Sequence, residues 1–102
     1  MKVALLITTF NSVEKLGLVL MSVLSQKRAP DQVIVCDDGS LKETTACVTS
    51  WSKVLPIIHV WQPDIGFRAA RVRNIGVSKA DTDYLIFVDG DCLLPPEFVS
   101  SH

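Results

Sequence analysis

YLIFVDGDCLLP, residues 84–95, runs an apolar stretch, 84–88, straight into two carboxylates, Asp89 and Asp91, with Gly90 alone between them. A short apolar run that stops at a turn signal reads as a buried strand. Two acids cannot continue it, because an ionised carboxylate loses far more solvation in a packed interior than packing returns. They therefore sit just past the strand's end, where something outside the fold can use them. Residues two apart on an extended segment face the same way, so Asp89 and Asp91 converge, and Gly90 lets a ligand approach the backbone. Two carboxylates about 5 Å apart repel by roughly 3 kcal/mol at an effective dielectric near 20. A hard divalent cation, Mg²⁺ or Mn²⁺, relieves that repulsion and can bridge to diphosphate oxygens. The competing reading of so short a pattern is a solvated acidic turn.

Working back towards the start, the chain alternates strands and helices. Residues 3–7 are apolar and read as a strand buried on both faces. Asn11 with Glu14 forms an Asn-led capping box, and Val13, Leu16, Leu20, Val23 and Leu24 follow at helical spacing to about Ser25. A second strand, 32–36, runs into Asp37-Asp38-Gly39-Ser40. Ser40 with Glu43 then opens a second helix expected to reach about Lys53. A third strand is expected over 55–61, a loop over 62–66, and a helix over about 68–80 that Gly76 weakens. This order implies an α/β fold, a mostly parallel sheet with helices on both faces. Ligands of such sheets collect beyond the carboxyl ends of the strands. The polar residues stand there: Thr8 and Thr9 after the first strand, Asp37 and Asp38 after the second, Asp89 and Asp91 after the last.

Composition narrows the class. The chain has 102 residues, 48% apolar and 21% charged, with a formal net charge of -1. That balance belongs to one globular domain and argues against a nucleic-acid surface, which needs clustered excess Lys and Arg. The cluster Arg68, Arg71 and Arg73 is too short for a duplex-binding stripe but can meet a single phosphate group. The apolar run after Lys2 is too short for a signal peptide, and no stretch approaches the roughly 20 apolar residues of a membrane span. Cys36, Cys47 and Cys92 are odd in number and lack paired ligand spacing, so neither a disulfide framework nor a zinc site is indicated. A reducing cytoplasm is the expected setting, with peripheral association at the inner face of the membrane as a variant.

Taken together, ITTFN at the first strand end, VIVCDDGS at the second, GFRAARVRNIGVSKA over the third helix and YLIFVDGDC at the last strand resemble family 2 glycosyltransferases of the GT-A fold. The resemblance covers essentially the whole chain, with the motifs in order. It implies a GT-A, Rossmann-like sheet, a nucleotide-sugar donor bound in this first half of the domain, and a divalent metal, Mn²⁺ or Mg²⁺, held by the D-x-D motif. It places Thr8 and Thr9 beside the nucleoside, with Thr8 and Phe10 standing where the family usually has Pro and Tyr. It gives Asp38 the hydrogen bond from the uracil ring and Arg73 the nucleotide phosphates. Asp89 is expected at the donor's ribose or sugar and at the metal, with Asp91 the direct metal ligand. Uridine diphosphate is the favoured carrier, and the acceptor is a glycan or lipid-linked glycan.

For Asp37 a nucleotide role and a place in the turn are evenly balanced. For His59, His102, Trp51 and Trp61 structural roles are favoured, Gly66 is read equally as a close approach of backbone to the donor and as an ordinary turn, and Cys92 is read as a small apolar filler.

Family members continue well past the D-x-D motif into an acceptor site and an acidic general base. Residues 1–102 are therefore expected to be the donor-binding half of a GT-A domain, truncated after the D-x-D strand, with the base absent. An interrupted sheet also predicts self-association through its open edge. Two alternatives remain: a noncatalytic module that binds nucleotide or a partner chain, and a haloacid-dehalogenase-like phosphatase. Against the phosphatase, its D-x-D usually opens the domain and is followed by Thr or Val, whereas here Cys92 and Leu93 follow.

Overall fold

The computed structural model describes residues 2–10, 12–39, 42–62, 75–89 and 93–101. Its elements run β1 (Val3–Thr9), α1 (Val13–Leu24), β2 (Gln32–Asp38), α2 (Lys42–Trp51), β3 (Ile57–Gln62) and β4 (Tyr84–Asp89), with a short helical stretch at 75–79. The four strands form one parallel sheet in the order β3-β2-β1-β4. This is the expected α/β architecture, and both faces are covered. Val3, Leu5 and Ile7 of β1, with Val33 and Val35 of β2, pack against Leu16, Val19, Leu20 and Val23 of α1 and Val48 of α2. Ala4, Leu6, Ile34 and Cys36 face the other way, towards Ile75 and Ala80. The period-two alternation of strand side chains is what divides one apolar run between two cores.

Gly76 explains how closely the second layer sits. A Cβ added there would lie 2.5 Å from Cys36 Sγ and 3.3 Å from Ile34 Cγ2. The glycine that lowers helix propensity in the sequence is thus the residue that lets 75–79 approach the sheet.

Several element limits differ from the sequence expectation. The ladders continue through the polar residues expected after the strands, so β1 ends at Thr9, β2 at Asp38 and β4 at Asp89, and α2 ends at Trp51. The N-cap of α1 is Ser12, with no side-chain cap bond, and Asn11 lies outside the described residues. The buried stripe of α1 is Leu16, Val19, Leu20 and Val23, while Val13 and Leu24 are exposed. β3 begins at Ile57 and not at Leu55. There, Leu55 N–H is taken by Trp51 O at the end of α2, and Pro56 has no N–H to give a ladder.

The segment after β4 is tied to the end of α1 by one buried side chain. Gln26 donates from Nε2 to Pro95 O at 2.7 Å and to Ser22 O at 3.2 Å, and its Oε1 accepts from Val99 N–H at 2.9 Å. Ser22 Oγ adds a bond from Leu94 N–H at 3.1 Å.

Candidate functional site

The strand order decides where a ligand goes. From β1 the chain steps outward to β2 and β3, then returns so that β4 pairs with the other side of β1. That reversal makes the carboxyl ends of β1 and β4 a topological switch point, the crevice where open α/β sheets bind ligands. Thr8 and Asp89 are the register partners at those ends. Both lie on the sheet face that carries Leu6 and Cys36, Thr8 half-buried and Asp89 exposed.

The opposite face holds a second polar group. Thr9 is the register partner of Asp37, and both are buried on the face that packs α1 and α2. Among the described residues Thr9 Oγ1 has no hydrogen-bond partner. A buried hydroxyl left unpaired costs about 1–3 kcal/mol, a cost that a group bound at the carboxyl end of β1 would offset. Asp37 is wholly buried, and His59 Nε2 lies 2.9 Å from its Oδ2. A carboxylate accepts, so the ring nitrogen donates and the imidazole takes the Nε2–H form.

The sequence-expected residues divide accordingly. Thr8 and Asp89 come together on one face at the carboxyl ends of β1 and β4, whereas Thr9 lies on the opposite face beside Asp37. Asp38 closes β2, and its side chain lies outside the described residues, as do Gly66, Arg68, Arg71, Arg73, Gly90, Asp91, Cys92 and His102. No group of three or more metal-ligating side chains occurs among the described residues. Trp51 packs against the core as expected, whereas Trp61 is half-exposed at the end of β3, where its register partner is Asp37.

The pairing of His59 with Asp37 is absent from the sequence reading. Val35 is the register partner of His59, so His59 shares the face of Val35 and Asp37 and reaches diagonally to the acid. Alternation in each strand was visible in the sequence, but the β2–β3 register that brings these two residues together was not.

Residues 4–102 match the family model described as Glycosyl transferase family 2. The chain belongs to that family. Among its family relatives, the hyaluronan synthase of Pasteurella multocida is 34% identical over 97% of this chain and 10% of its own length. The validoxylamine A glucosyltransferase of Streptomyces hygroscopicus subsp. limoneus is 36% identical over 96% of this chain and 22% of its own. The structure of S. aureus TarS 1-349 in complex with UDP-GlcNAc superposes with a TM-score of 0.88 at 25% identity, covering 99% of this chain and 30% of TarS 1-349. This family 2 chain therefore spans between 10% and 22% of those two curated relatives, and its sheet shares the GT-A, Rossmann-like fold of the solved neighbour. The D-x-D begins at Asp89, the last residue of β4, and the family match sets the phosphatase alternative aside.

Proposed function

We propose that this chain is the donor-binding part of a glycosyltransferase, holding a nucleoside diphosphate sugar, with UDP as carrier, for transfer to a glycan or lipid-linked acceptor. The observation that carries this reading is the placement of Thr8, Thr9 and Asp89 at the switch point of a family 2 sheet. The TarS complex with UDP-GlcNAc supports the choice of carrier.

In this reading the carboxyl ends of β1 and β2 receive the nucleoside. Thr9 Oγ1 supplies a hydrogen-bonding hydroxyl, and Asp38 accepts from the imide N–H of the base. Arg73 meets the diphosphate oxygens with a fork of donors. Asp89 is an exposed carboxylate at the switch point, a hard oxygen donor of the type that Mn²⁺ and Mg²⁺ take, so the residues present fit a divalent cation held by Asp89 and Asp91. When bound, that cation supplies Lewis-acid neutralisation of charge on the departing diphosphate. The outer edge of β4 pairs with no described strand, and self-association through it belongs to the same proposal. So does a cytoplasmic setting.

A nucleotide panel tests the reading. A ligand that binds only the folded chain at 100 times its Kd stabilises it by about 2.7 kcal/mol. UDP with Mn²⁺ is expected to raise Tm more than ADP, GDP or TDP. Equal, negligible shifts across the panel, with capture of a partner chain instead, would favour the noncatalytic module.

A further inference from the structure

We propose that His59 is a positioning residue of the donor nucleoside subsite, fixing Asp37 beside the unpartnered hydroxyl of Thr9. The inference rests on the donor-binding reading and adds to it a residue from a strand that contributes none of the expected ligand contacts. Three observations carry it. Asp37 is wholly buried at the carboxyl end of β2, where an acid is kept only if its oxygens are satisfied. His59, mostly buried on the neighbouring strand, donates to it at 2.9 Å. Thr9, register partner of Asp37 on the same face, holds a buried Oγ1 that no described residue engages.

These three side chains form one polar group at the ligand end of a sheet face that is otherwise apolar: Val33 and Val35 lie behind Asp37, and Leu5 and Ile7 behind Thr9. An imidazole on β3 that anchors the Asp37 carboxylate fixes the strand end from which Asp38 and the turn depart. It also keeps the carboxylate oriented by a directional bond, so that Thr9 Oγ1 remains available to a nucleoside oxygen or N–H. His59 itself touches no ligand in this account. It acts through Asp37, as an outer-shell partner acts through a ligand-binding group.

Two variants separate positioning from packing. His59→Phe keeps most of the volume and removes the donor, and His59→Gln restores an N–H that can reach a carboxylate. UDP affinity is read by calorimetry beside Tm for each chain. The expected result is a loss of about tenfold in UDP affinity for His59→Phe, the scale of one hydrogen bond to a charged group, with a substantial part recovered in His59→Gln. Unchanged affinity in a folded His59→Phe chain, or equal losses in both variants, overturns the proposal and leaves the donor-binding reading standing. Failure of the unaltered chain to bind UDP overturns the donor-binding reading and this inference with it. Should His59→Phe not fold, the unaltered chain still decides. Saturation with UDP is expected to move the His59 Nε2 resonance in ¹⁵N spectra, and an unmoved resonance at saturation overturns the proposal.

Discussion

Thr8 and Asp89 stand side by side as register partners at the carboxyl ends of two parallel strands that the chain reaches from opposite directions. This relationship turns a short acidic pattern into a site, because it sets Asp89 at the switch point and leaves its side chain exposed. Asp89→Asn is expected to leave the unfolding free energy within about 0.5 kcal/mol of the unaltered chain, as for surface substitutions generally. Its affinity for UDP in the presence of Mn²⁺ should fall by about tenfold or more, the worth of a charge-assisted contact. Calorimetry beside thermal unfolding checks both arms.

Gly76 sets the distance between the helical stretch 75–79 and the sheet, so Gly76→Ala should be destabilising despite its better helix propensity. The added Cβ would meet Cys36 Sγ at 2.5 Å, and overpacking of this kind costs about 1–3 kcal/mol. Each kcal/mol lowers Tm by roughly 4–8 °C in a domain of this size. Adding Cys36→Ala should return part of the loss, and a double-mutant cycle measures the coupling.

Gln26 is the joint between α1 and the segment that follows the acidic motif. Gln26→Leu keeps similar bulk but strands the Val99 N–H and removes the bond to Pro95 O. Each buried group left unpaired costs about 1–3 kcal/mol, so a loss of about 2–4 kcal/mol is expected in urea unfolding. Amide exchange at Val99 should accelerate in the same variant.

Cys47 gives a pH-dependent prediction. Burial pushes its thiol above the usual cysteine range, so the folded chain holds that proton to higher pH than the unfolded chain. Between the unfolded thiol's pKa of about 8.5 and the higher folded one, the folded state binds more protons, and stability falls as pH rises. The stabilising difference between the unaltered chain and Cys47→Ser should be fully present below about pH 8 and shrink above it. Alkylation of Cys47 near neutral pH should be slow compared with a solvent-exposed thiol.

The strands were legible because each is a short apolar run stopped by Thr, Asp or Pro, and four such runs separated by helical patterns leave little choice of architecture. Asp89 was legible for the same reason: an acid at the end of a buried strand has no use in the core. Less of α1 could be read, since Val13 and Leu24 fit the helical period but lie where α1 turns to solvent. Periodicity assigns a face only to within its width. The start of β3 depended on a bond between Leu55 and Trp51 that only the folded chain contains. His59 was unreadable as a partner of Asp37 because the bond depends on register between strands, which one chain's alternation leaves open.

The most direct test of the central claim is UDP binding by calorimetry, with and without Mn²⁺, on this chain and on Asp91→Asn. The account predicts binding that Mn²⁺ strengthens and that the substitution abolishes or weakens at least about tenfold. A folded chain that binds UDP with the same affinity in all four conditions, or in none, would contradict it.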